Sequence, residues 1–482
     1  MRRWIVLCII VLGLGNRAGA GVEALRDDPD VRSNLVLLEK WIGEQLDYRG
    51  IPGVALAVVY DQEIVWSKGF GVADLSTRQA VTPQTIFRIA SITKTFTSTA
   101  ILILRDQGKL MLDDPVSQYL PWFTYKNRFP DGPSITIRQL LTHTSGLPRE
   151  ASFPYWSDNV FPTRDQLIEA FHSQESVFEP ETKYKYSNLG MAILGEIVAA
   201  VSGQSYERFI HDAILRPLGM NSTSVYIPEE QRTRLATGYS RPMKGGVRKP
   251  TPFMDAKGLA PAANISSTVE DLAAFASFHL REDDSCGTKI LKPSTLREMH
   301  RVHWLRPNWK KGCGLGFFVV KGVDRVTFAH DGWASSQRSY LLISPEEKVA
   351  VVVMTNSDDG SPGLFAGTAM SMLAPVLRKA AVPPTMSPVP DPAWQRYVGK
   401  YADSEGLISE VFVRNGALVL YEYDWPPEDN PTDVLIELTP TGKDSFCRGG
   451  EDGDGEPVVF ELGKDGRVVK MKIGPETRAP VH

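Results

Sequence analysis

The stretch FRIASITK, residues 87–94, decides how this sequence is interpreted. Within it Ser91 precedes Lys94 by three residues, and no other serine in the chain stands in this relation to a lysine. The mostly apolar segment 95–104, followed by a glycine at position 108, predicts a helix that begins at this stretch. Residues three apart share one helical face, so the hydroxyl and the amine are expected to be neighbours. The pattern predicts a serine nucleophile beside a base, with the helix N-terminus favouring negative charge on the serine.

Two further motifs follow in order along the chain. The sequence YSN at 186–188 comes 95 residues after Ser91, and HDG at 330–332 comes 144 residues after Tyr186. The flanking text includes LLTHTSGL at 140–147, RPLGM at 216–220 and SSTVEDL at 266–272. From about residue 35 to residue 379 the chain resembles the serine β-lactamase and penicillin-binding-protein-like superfamily, whose three motifs face one cleft. The likeness is to the branch of class C β-lactamases, D-peptidases and family VIII esterases.

This resemblance implies a fold class and a chemistry. The fold is an α/β catalytic domain, in which an antiparallel sheet flanked by helices adjoins an all-helical subdomain, with the active site between them. The chemistry is acyl transfer through an ester on Ser91, with Lys94 and Tyr186 as catalytic partners. The sequence leaves open which of these two partners takes the first proton, because each needs a lowered pKa to act as a base.

The resemblance also implies substrate-binding roles for four residues. Asn188 is expected to donate a hydrogen bond to Lys94 or to the substrate amide. The backbone N–H of Trp333, together with that of the nucleophile, would form the oxyanion hole. His330 and Gly332, from the third motif, would line the site beside the substrate.

His330 stands where the third motif of the family usually has a lysine. A histidine with a pKa near ~6.5 is mostly neutral at pH 7, so no permanent cation is expected there for a substrate carboxylate. We therefore expect a hydrolase that cleaves a peptide amide of the D-amino-acid type or a carboxylic ester. D-aminopeptidases, some D,D-carboxypeptidases and family VIII esterases vary this position. The alternatives are a true β-lactamase and, in another class, a penicillin or cell-wall sensor or binding protein that does not turn over.

Three other patterns are assigned structural roles. A second Tyr-x-Asn, YKN at 125–127, falls only 34 residues after Ser91 in a polar stretch and is assigned to the surface. His143 is interpreted as structural. His300 and His303 form an H-x-x-H pair without a third ligand, so neither a metal nor a cofactor is expected.

Hydrophobic periodicity predicts one sheet assembled from both ends of the catalytic segment, with helices inserted between them. The predicted strands are 54–60, 64–70, 315–321, 325–329, 338–343 and 349–354. The predicted helices include 31–46, 189–201 ending at Gly203, 206–215 capped by Ser205, and 366–377.

Composition divides the chain into four parts. Residues 1–20 have the charged, apolar and A-x-A segments of a signal peptide, which predicts a secreted or periplasmic protein. The β-lactamase-like hydrolase domain covers 21–381, and a proline-rich linker covers 382–392. Residues 393–482 contain six short strand candidates and resemble a small antiparallel, lipocalin-like barrel.

Charge and cysteine content restrict the partners. Without residues 1–20 the chain has 50 basic and 57 acidic residues and no basic stripe, so nucleic acid is not an expected partner. No later apolar run approaches membrane length, so stable membrane insertion is not expected. The expected partner is a small-molecule or peptide substrate, and the oligomeric state is left open. Cys286 and Cys313 are close enough in sequence to form a disulfide in an oxidising compartment.

Overall fold

The computed structural model describes residues 22–243, 246–281, 290–322, 325–381, 391–414, 417–422, 435–449 and 455–481. The predicted signal peptide, most of the predicted linker and Cys286 lie outside these residues. The chain divides into two compact units, with the boundary between residues 381 and 382. Each unit is considered by itself below.

The first unit is built on an antiparallel sheet. Its described strands are β1 Gly53–Tyr60, β2 Glu63–Gly71, β3 Phe87–Arg88, β4 Ser266–Ser267, β5 Trp304–Leu305, β6 Lys311–Cys313, β7 Phe318–Lys321, β8 Val326–Ala334, β9 Gln337–Ser344 and β10 Val349–Thr355. Among the described strands, eight form one sheet in the order β2-β1-β10-β9-β8-β7-β6-β5, and β3 pairs with β4 separately. The N-terminal hairpin joins the last strand, with Val54 opposite Thr355 and Tyr60 opposite Val349. The predicted sheet made from both ends of the segment is confirmed.

Helices surround this sheet. The described α-helices are α1 Val22–Asp27, α2 Pro29–Arg49, α3 Thr93–Asp106, α4 Ile137–Leu141, α5 Tyr155–Asp158, α6 Arg164–Phe171, α7 Asn188–Ser202, α8 Tyr206–Ile210, α9 Ala260–Ala263, α10 Val269–His279, α11 Pro293–His300 and α12 Pro362–Ala381. Short 3₁₀ turns occupy Ala90–Ile92, Val116–Gln118, Glu229–Arg234 and Lys257–Leu259. No helix in the described part of the chain is both long and apolar enough to cross a membrane.

Strand β1, which lies between β2 and β10, is buried on both faces, which explains its continuous apolar sequence. Alternate side chains point to opposite faces of a strand. Val54, Leu56 and Val58 join the core beneath α2 and α12, whereas Ala55 and Ala57 join the core that includes α3. The helix that packs against β1 on this second face is α10, and the small alanines let it lie close to the strand.

Some predicted elements differ from the structure; the strand predicted for 315–321, for example, begins only at Phe318. Val326–Ala334 is longer than the predicted strand 325–329, so the HDG motif lies on a strand and not after one. The helix predicted for 206–215 changes at His211 to a π-helical turn. The Ser205 side chain makes no capping hydrogen bond; the helix start is held by the backbone bond from Phe209 N–H to the Ser205 carbonyl and by the buried Tyr206.

The second unit is a closed antiparallel barrel. Its described strands are β11 Gly399–Ala402, β12 Ile408–Arg414, β13 Ala417–Glu422, β14 Leu435–Gly442, β15 Ser445–Arg448, β16 Glu456–Leu462, β17 Val468–Ile473 and β18 Glu476–Pro480, preceded by a 3₁₀ turn at Pro392–Tyr397. A cluster of apolar side chains that includes Leu418, Leu420, Phe446 and Phe460 forms its core. The six predicted strands are present, and β15 and β18 were not predicted.

Candidate active site

The predicted nucleophile, Ser91, lies on a tightly constrained turn. Ser91 is the middle residue of the 3₁₀ turn Ala90–Ile92, which leads directly into α3. Ala90 is fully buried and has a φ of +46°, a left-handed conformation that is unfavourable for a residue with a Cβ. The surrounding structure must therefore hold this turn in place.

The third motif provides part of that support. A Cβ added to Gly332 would lie 2.1 Å from the carbonyl oxygen of Ile89 and 2.3 Å from Oγ of Ser339. Ser339 Oγ donates a hydrogen bond of 2.9 Å to the same carbonyl. Only glycine at position 332 lets β8 approach the turn this closely. This close approach brings the turn that carries Ser91 next to the strand that carries Trp333. These are the two residues whose backbone N–H groups are expected to form the oxyanion hole.

Lys94 is fully buried beside the nucleophile. Its Nζ lies 3.0 Å from Oγ of Ser91, and it donates a hydrogen bond of 2.7 Å to the carbonyl of Ala262. Burial lowers the pKa of Lys94 to about 7, an effect opposed by the negative charge of Glu150. A substantial fraction of Lys94 is therefore uncharged at neutral pH, so the amine can accept a proton from Ser91.

Tyr186 lies against the same amine. The centre of its ring is 4.9 Å from Lys94 Nζ and 5.1 Å from the guanidinium carbon of Arg149. Burial raises the pKa of Tyr186, and this effect exceeds the lowering by its interaction with Ser91. The phenol is therefore protonated at neutral pH, so it is not available as a base and can take part only as a proton donor.

His143 supports the second motif. Its ring lies 4.4 Å from the ring of Tyr186, and its Nδ1 accepts a hydrogen bond of 3.2 Å from the backbone N–H of Ser187. Burial holds the pKa of His143 well below its usual value. The imidazole is thus a neutral packing group at this position.

The expected partner of Asn188 is corrected by the structure. Its Nδ2 donates to Glu150 Oε1 at 2.7 Å, and not to Lys94. The buried Oδ1 of Asn188 has no hydrogen-bond partner within the described structure. The sequence did not identify this partner, because Glu150 lies 38 residues away and no motif marks it. Asn188 therefore has a buried acceptor, Oδ1, still available.

His330 is buried on β8 with its Nδ1 2.7 Å from the backbone carbonyl of Asp331. A carbonyl only accepts hydrogen bonds, so Nδ1 carries the proton and Nε2 is the acceptor. Burial lowers the pKa of His330 to about 4. The imidazole is therefore neutral at pH 7, and the third motif itself supplies no cation to the site.

Two arginines that the sequence did not identify lie near the site. Arg149 lies over Tyr186, as described above, and Arg306 lies between two rings, 4.2 Å from that of Tyr184 and 5.3 Å from that of Phe318. The Phe318 ring is in turn 5.0 Å from that of His330. The neighbourhood of the catalytic residues thus contains permanent positive charge from other elements.

An exposed aromatic pair adjoins the third motif. The side chain of Trp333 is 49% exposed, and Trp156 is 41% exposed. The two indoles stack with their centres 6.2 Å apart, and Trp333 Nε1 donates a hydrogen bond of 2.6 Å to Asp358. Since the backbone of Trp333 belongs to the predicted site, the pair offers an apolar surface beside it.

The remaining sequence candidates lie in other environments. Tyr125 packs against Phe123 and Phe171. His300 lies with its Nε2 3.1 Å from Nδ1 of His279, and His303 is bonded to the Glu298 carbonyl. Across the described ranges, no group of three or more His, Cys, Asp or Glu side chains could hold a metal ion. Cys313 is buried, and its suggested partner Cys286 lies outside the described residues.

Sequence comparison places these features among known proteins. A family model described as Beta-lactamase matches residues 38–370, a range that contains all three motifs. Beta-lactamase-like protein 2 of Dictyostelium discoideum is 27% identical over 472 residues, which cover 91% of this chain and 85% of that protein. Protein flp of Staphylococcus aureus (strain N315) is 29% identical over 328 residues, which cover 66% of this chain and 62% of that protein.

Solved structures show the same architecture. The octameric penicillin-binding protein homologue from Pyrococcus abyssi superposes with a TM-score of 0.64 and 27% identity, over 92% of this chain and 99% of that chain. The β-lactamase/D-alanine carboxypeptidase from Yersinia pestis, solved with citrate, gives a TM-score of 0.59 at 24% identity, over 71% of this chain and 99% of that chain. The second likeness concerns the fold alone.

Proposed function

Since the chain belongs to the β-lactamase family, we propose that it is a serine hydrolase that cleaves a peptide amide of the D-amino-acid type or a carboxylic ester. One observation carries this proposal: the buried amine of Lys94 lies 3.0 Å from Oγ of Ser91 and has a pKa of about 7. A lysine in this state is a general base adjacent to a nucleophile. The substrate is a small molecule or a peptide.

The first half-reaction transfers the acyl group to the enzyme. Lys94 takes the proton of Ser91 while Oγ bonds to the substrate carbonyl carbon. The backbone N–H groups of Ser91 and Trp333 stabilise the oxyanion. The C–N or C–O bond then breaks, and Tyr186 protonates the departing amine or alcohol. The Lys94 ammonium returns its extra proton to the Tyr186 phenolate, which leaves both residues as they began.

The second half-reaction hydrolyses the ester. The uncharged amine of Lys94 removes a proton from water, whose oxygen bonds to the ester carbonyl carbon. Oγ of Ser91 then leaves and takes the proton back from the Lys94 ammonium, and the carboxylic acid departs. The raised pKa of Tyr186 favours Lys94 as the base in both steps.

A true β-lactamase is the second candidate. Its substrates carry a carboxylate, and the neutral His330 does not attract one. Arg306 supports this candidate, because its guanidinium lies near Phe318, which adjoins His330. The same arginine would suit a peptide with a free C-terminal carboxylate. The charge arrangement therefore favours substrates that carry a carboxylate, but it does not distinguish a β-lactam from a peptide.

Comparing four substrates tests the proposal. They are a p-nitrophenyl short-chain ester, a D-alanine anilide, a D-Ala-D-Ala peptide and a chromogenic cephalosporin, each assayed with the wild type and with Ser91→Ala. Turnover of the ester, anilide or peptide that disappears in the variant would support the proposal. Fastest turnover of the cephalosporin would favour the β-lactamase. A stable Ser91 adduct without turnover would favour a sensor, which the proposed signal peptide would place outside the cytoplasm.

A further inference from the structure

Glu150 is fixed against the start of α7 by backbone and side-chain bonds. The backbone N–H groups of Asn188 and Leu189 both donate to the carbonyl of Arg149, at 2.8 and 3.3 Å. Ser187 Oγ donates to the carbonyl of Pro148 at 2.7 Å. These bonds attach Arg149, the residue next to Glu150, to the start of the helix that carries Asn188. They therefore fix the position of the Glu150 side chain relative to that of Asn188.

The Glu150 carboxylate is bonded at both oxygens. Oε1 accepts from Asn188 Nδ2 at 2.7 Å and from Arg149 Nε at 3.1 Å, while Oε2 accepts from the hydroxyl of the buried Tyr155 at 2.6 Å. An ionised carboxylate only accepts hydrogen bonds. The nitrogen of the Asn188 amide must therefore face Glu150, and its oxygen must face away from Glu150.

Among the described residues, Asn188 Oδ1 lacks a hydrogen-bond donor, and Lys94 Nζ, once protonated, has an N–H group that lacks an acceptor. Asn188 Oδ1 is a buried acceptor without a partner in the described structure. A lysine ammonium has three N–H groups, and Ser91 and Ala262 account for two of the contacts of Lys94. Asn188 follows Tyr186 by two residues, and the ring of Tyr186 is 4.9 Å from Lys94 Nζ. Once Lys94 has taken a proton, the third N–H of the ammonium needs an acceptor besides Ser91 and Ala262.

We propose that Glu150 is a positioning residue: it holds the amide of Asn188 so that Oδ1 is available to the ammonium that forms on Lys94 when Ser91 reacts. Through its charge Glu150 also favours that ammonium. The inference rests on the proposed serine hydrolase function and adds a residue that none of the three motifs contains. It treats Glu150 as acting through Asn188 and Lys94, without taking a proton itself.

Several ionisable groups surround Lys94, so a pH profile must be compared between matched variants. Charge effects connect it with Glu150, Arg149, Asp331, His143 and His330. Removing the charge of Glu150 leaves the others in place. The variant Glu150→Gln keeps an oxygen that accepts from Asn188 Nδ2 and loses the charge, whereas Glu150→Ala loses both.

The reaction of Ser91 with a fluorophosphonate measures these effects without knowledge of the substrate. Oγ bonds to phosphorus, the P–F bond breaks, fluoride leaves, and the serine proton passes to Lys94. The labelling rate of the full chain would be followed by intact mass from pH 5 to 9 for the wild type and both Glu150 variants. Glu169→Gln, on the exposed side of α6, is the control for loss of one negative charge.

We expect Glu150→Ala to slow labelling roughly 10- to 100-fold, the effect of one hydrogen bond to a charged group. Glu150→Gln should keep the high-pH rate within about threefold, with its acid limb moved to lower pH because the attractive charge is gone. The control should match the wild type. If Glu150→Gln were as slow as Glu150→Ala at high pH, Glu150 would act through its charge or its own proton transfer and not by holding the Asn188 amide. If Glu150→Ala were unchanged, Glu150 would have no role. Either result overturns the inference, whereas a wild type that is not labelled at Ser91 would overturn the proposed function.

Discussion

The amine of Lys94 lies 3.0 Å from the hydroxyl oxygen of Ser91 in a fully buried position. Burial penalises the charged form of an amine, and the penalty brings the pKa of Lys94 to about 7. We therefore propose that this hydroxyl and this amine, one helical turn apart, act as the nucleophile and its base. The predictions below follow from this pair and from the elements that hold it.

The rate of acylation should depend on pH through Lys94. Only the uncharged amine can take a proton, so the rate should rise with pH and level off above about 7, the pKa of Lys94. Below that value each pH unit should reduce kcat/KM about tenfold. The measurement is kcat/KM from pH 5 to 9 on an ester with a neutral acyl group. A rate independent of pH across this range would exclude Lys94 as the base.

Tyr186→Phe should slow the hydrolysis of amides more than the hydrolysis of activated esters. An aniline or alkylamine leaving group needs the proton that we assign to the Tyr186 phenol, and the loss of this proton should cost roughly 10²- to 10⁴-fold in kcat. A p-nitrophenolate leaves without a proton, so the ester should lose less than about tenfold. Equal losses on a D-alanine anilide and a p-nitrophenyl ester would contradict the proton-donor role.

Gly332→Ala should disrupt the nucleophile turn. The new Cβ would meet the Ile89 carbonyl at 2.1 Å, so β8 or the turn must move. We expect unfolding to become easier by about 1–3 kcal/mol, as for other overpacked sites, and activity to fall more than about 100-fold. Gly367→Ala is the matched control, because a Cβ there meets nothing within 4 Å on α12. That variant should be active and more stable by about 0.5–1 kcal/mol; similar behaviour of the two variants would refute the close-approach argument.

Acid should destabilise the first unit through its buried histidines. Burial lowers the pKa of His143, His279, His300 and His330, so the unfolded chain binds more protons than the folded one once the pH falls below about 6.5. The free energy of unfolding should therefore fall between pH 6.5 and about 4, the folded-state pKa of His300.

Denaturant titrations at several pH values measure this effect. His300 alone should contribute a loss of about 3 kcal/mol at most, since each pKa unit corresponds to about 1.4 kcal/mol. His300→Phe should flatten the pH dependence, whereas the exposed His172→Phe should leave it unchanged. A free energy of unfolding that rises on acidification would show that these side chains are not buried and neutral.

The sequence predicted the elements that depend on local pattern. The i, i+3 relation of Ser91 and Lys94 and the continuous apolar run of β1 follow from residues close together in the chain. The Glu150–Asn188 hydrogen bond joins residues 38 positions apart, and the bond from Lys94 to the Ala262 carbonyl joins residues 168 positions apart. A local sequence pattern cannot predict contacts between residues so far apart. The barrel strand Glu476–Pro480 was not predicted, because Ala479 alone does not make the alternation of apolar and polar residues that indicates a strand.

The central claim is that Ser91 becomes acylated, and rapid mixing with a p-nitrophenyl ester tests it most directly. We predict a burst of p-nitrophenolate equal to the enzyme concentration if deacylation is the slower step, together with an acyl adduct that peptide mapping places on Ser91. With Ser91→Ala both the burst and the adduct should be absent. Undiminished hydrolysis by Ser91→Ala, or an adduct on another residue, would contradict the account.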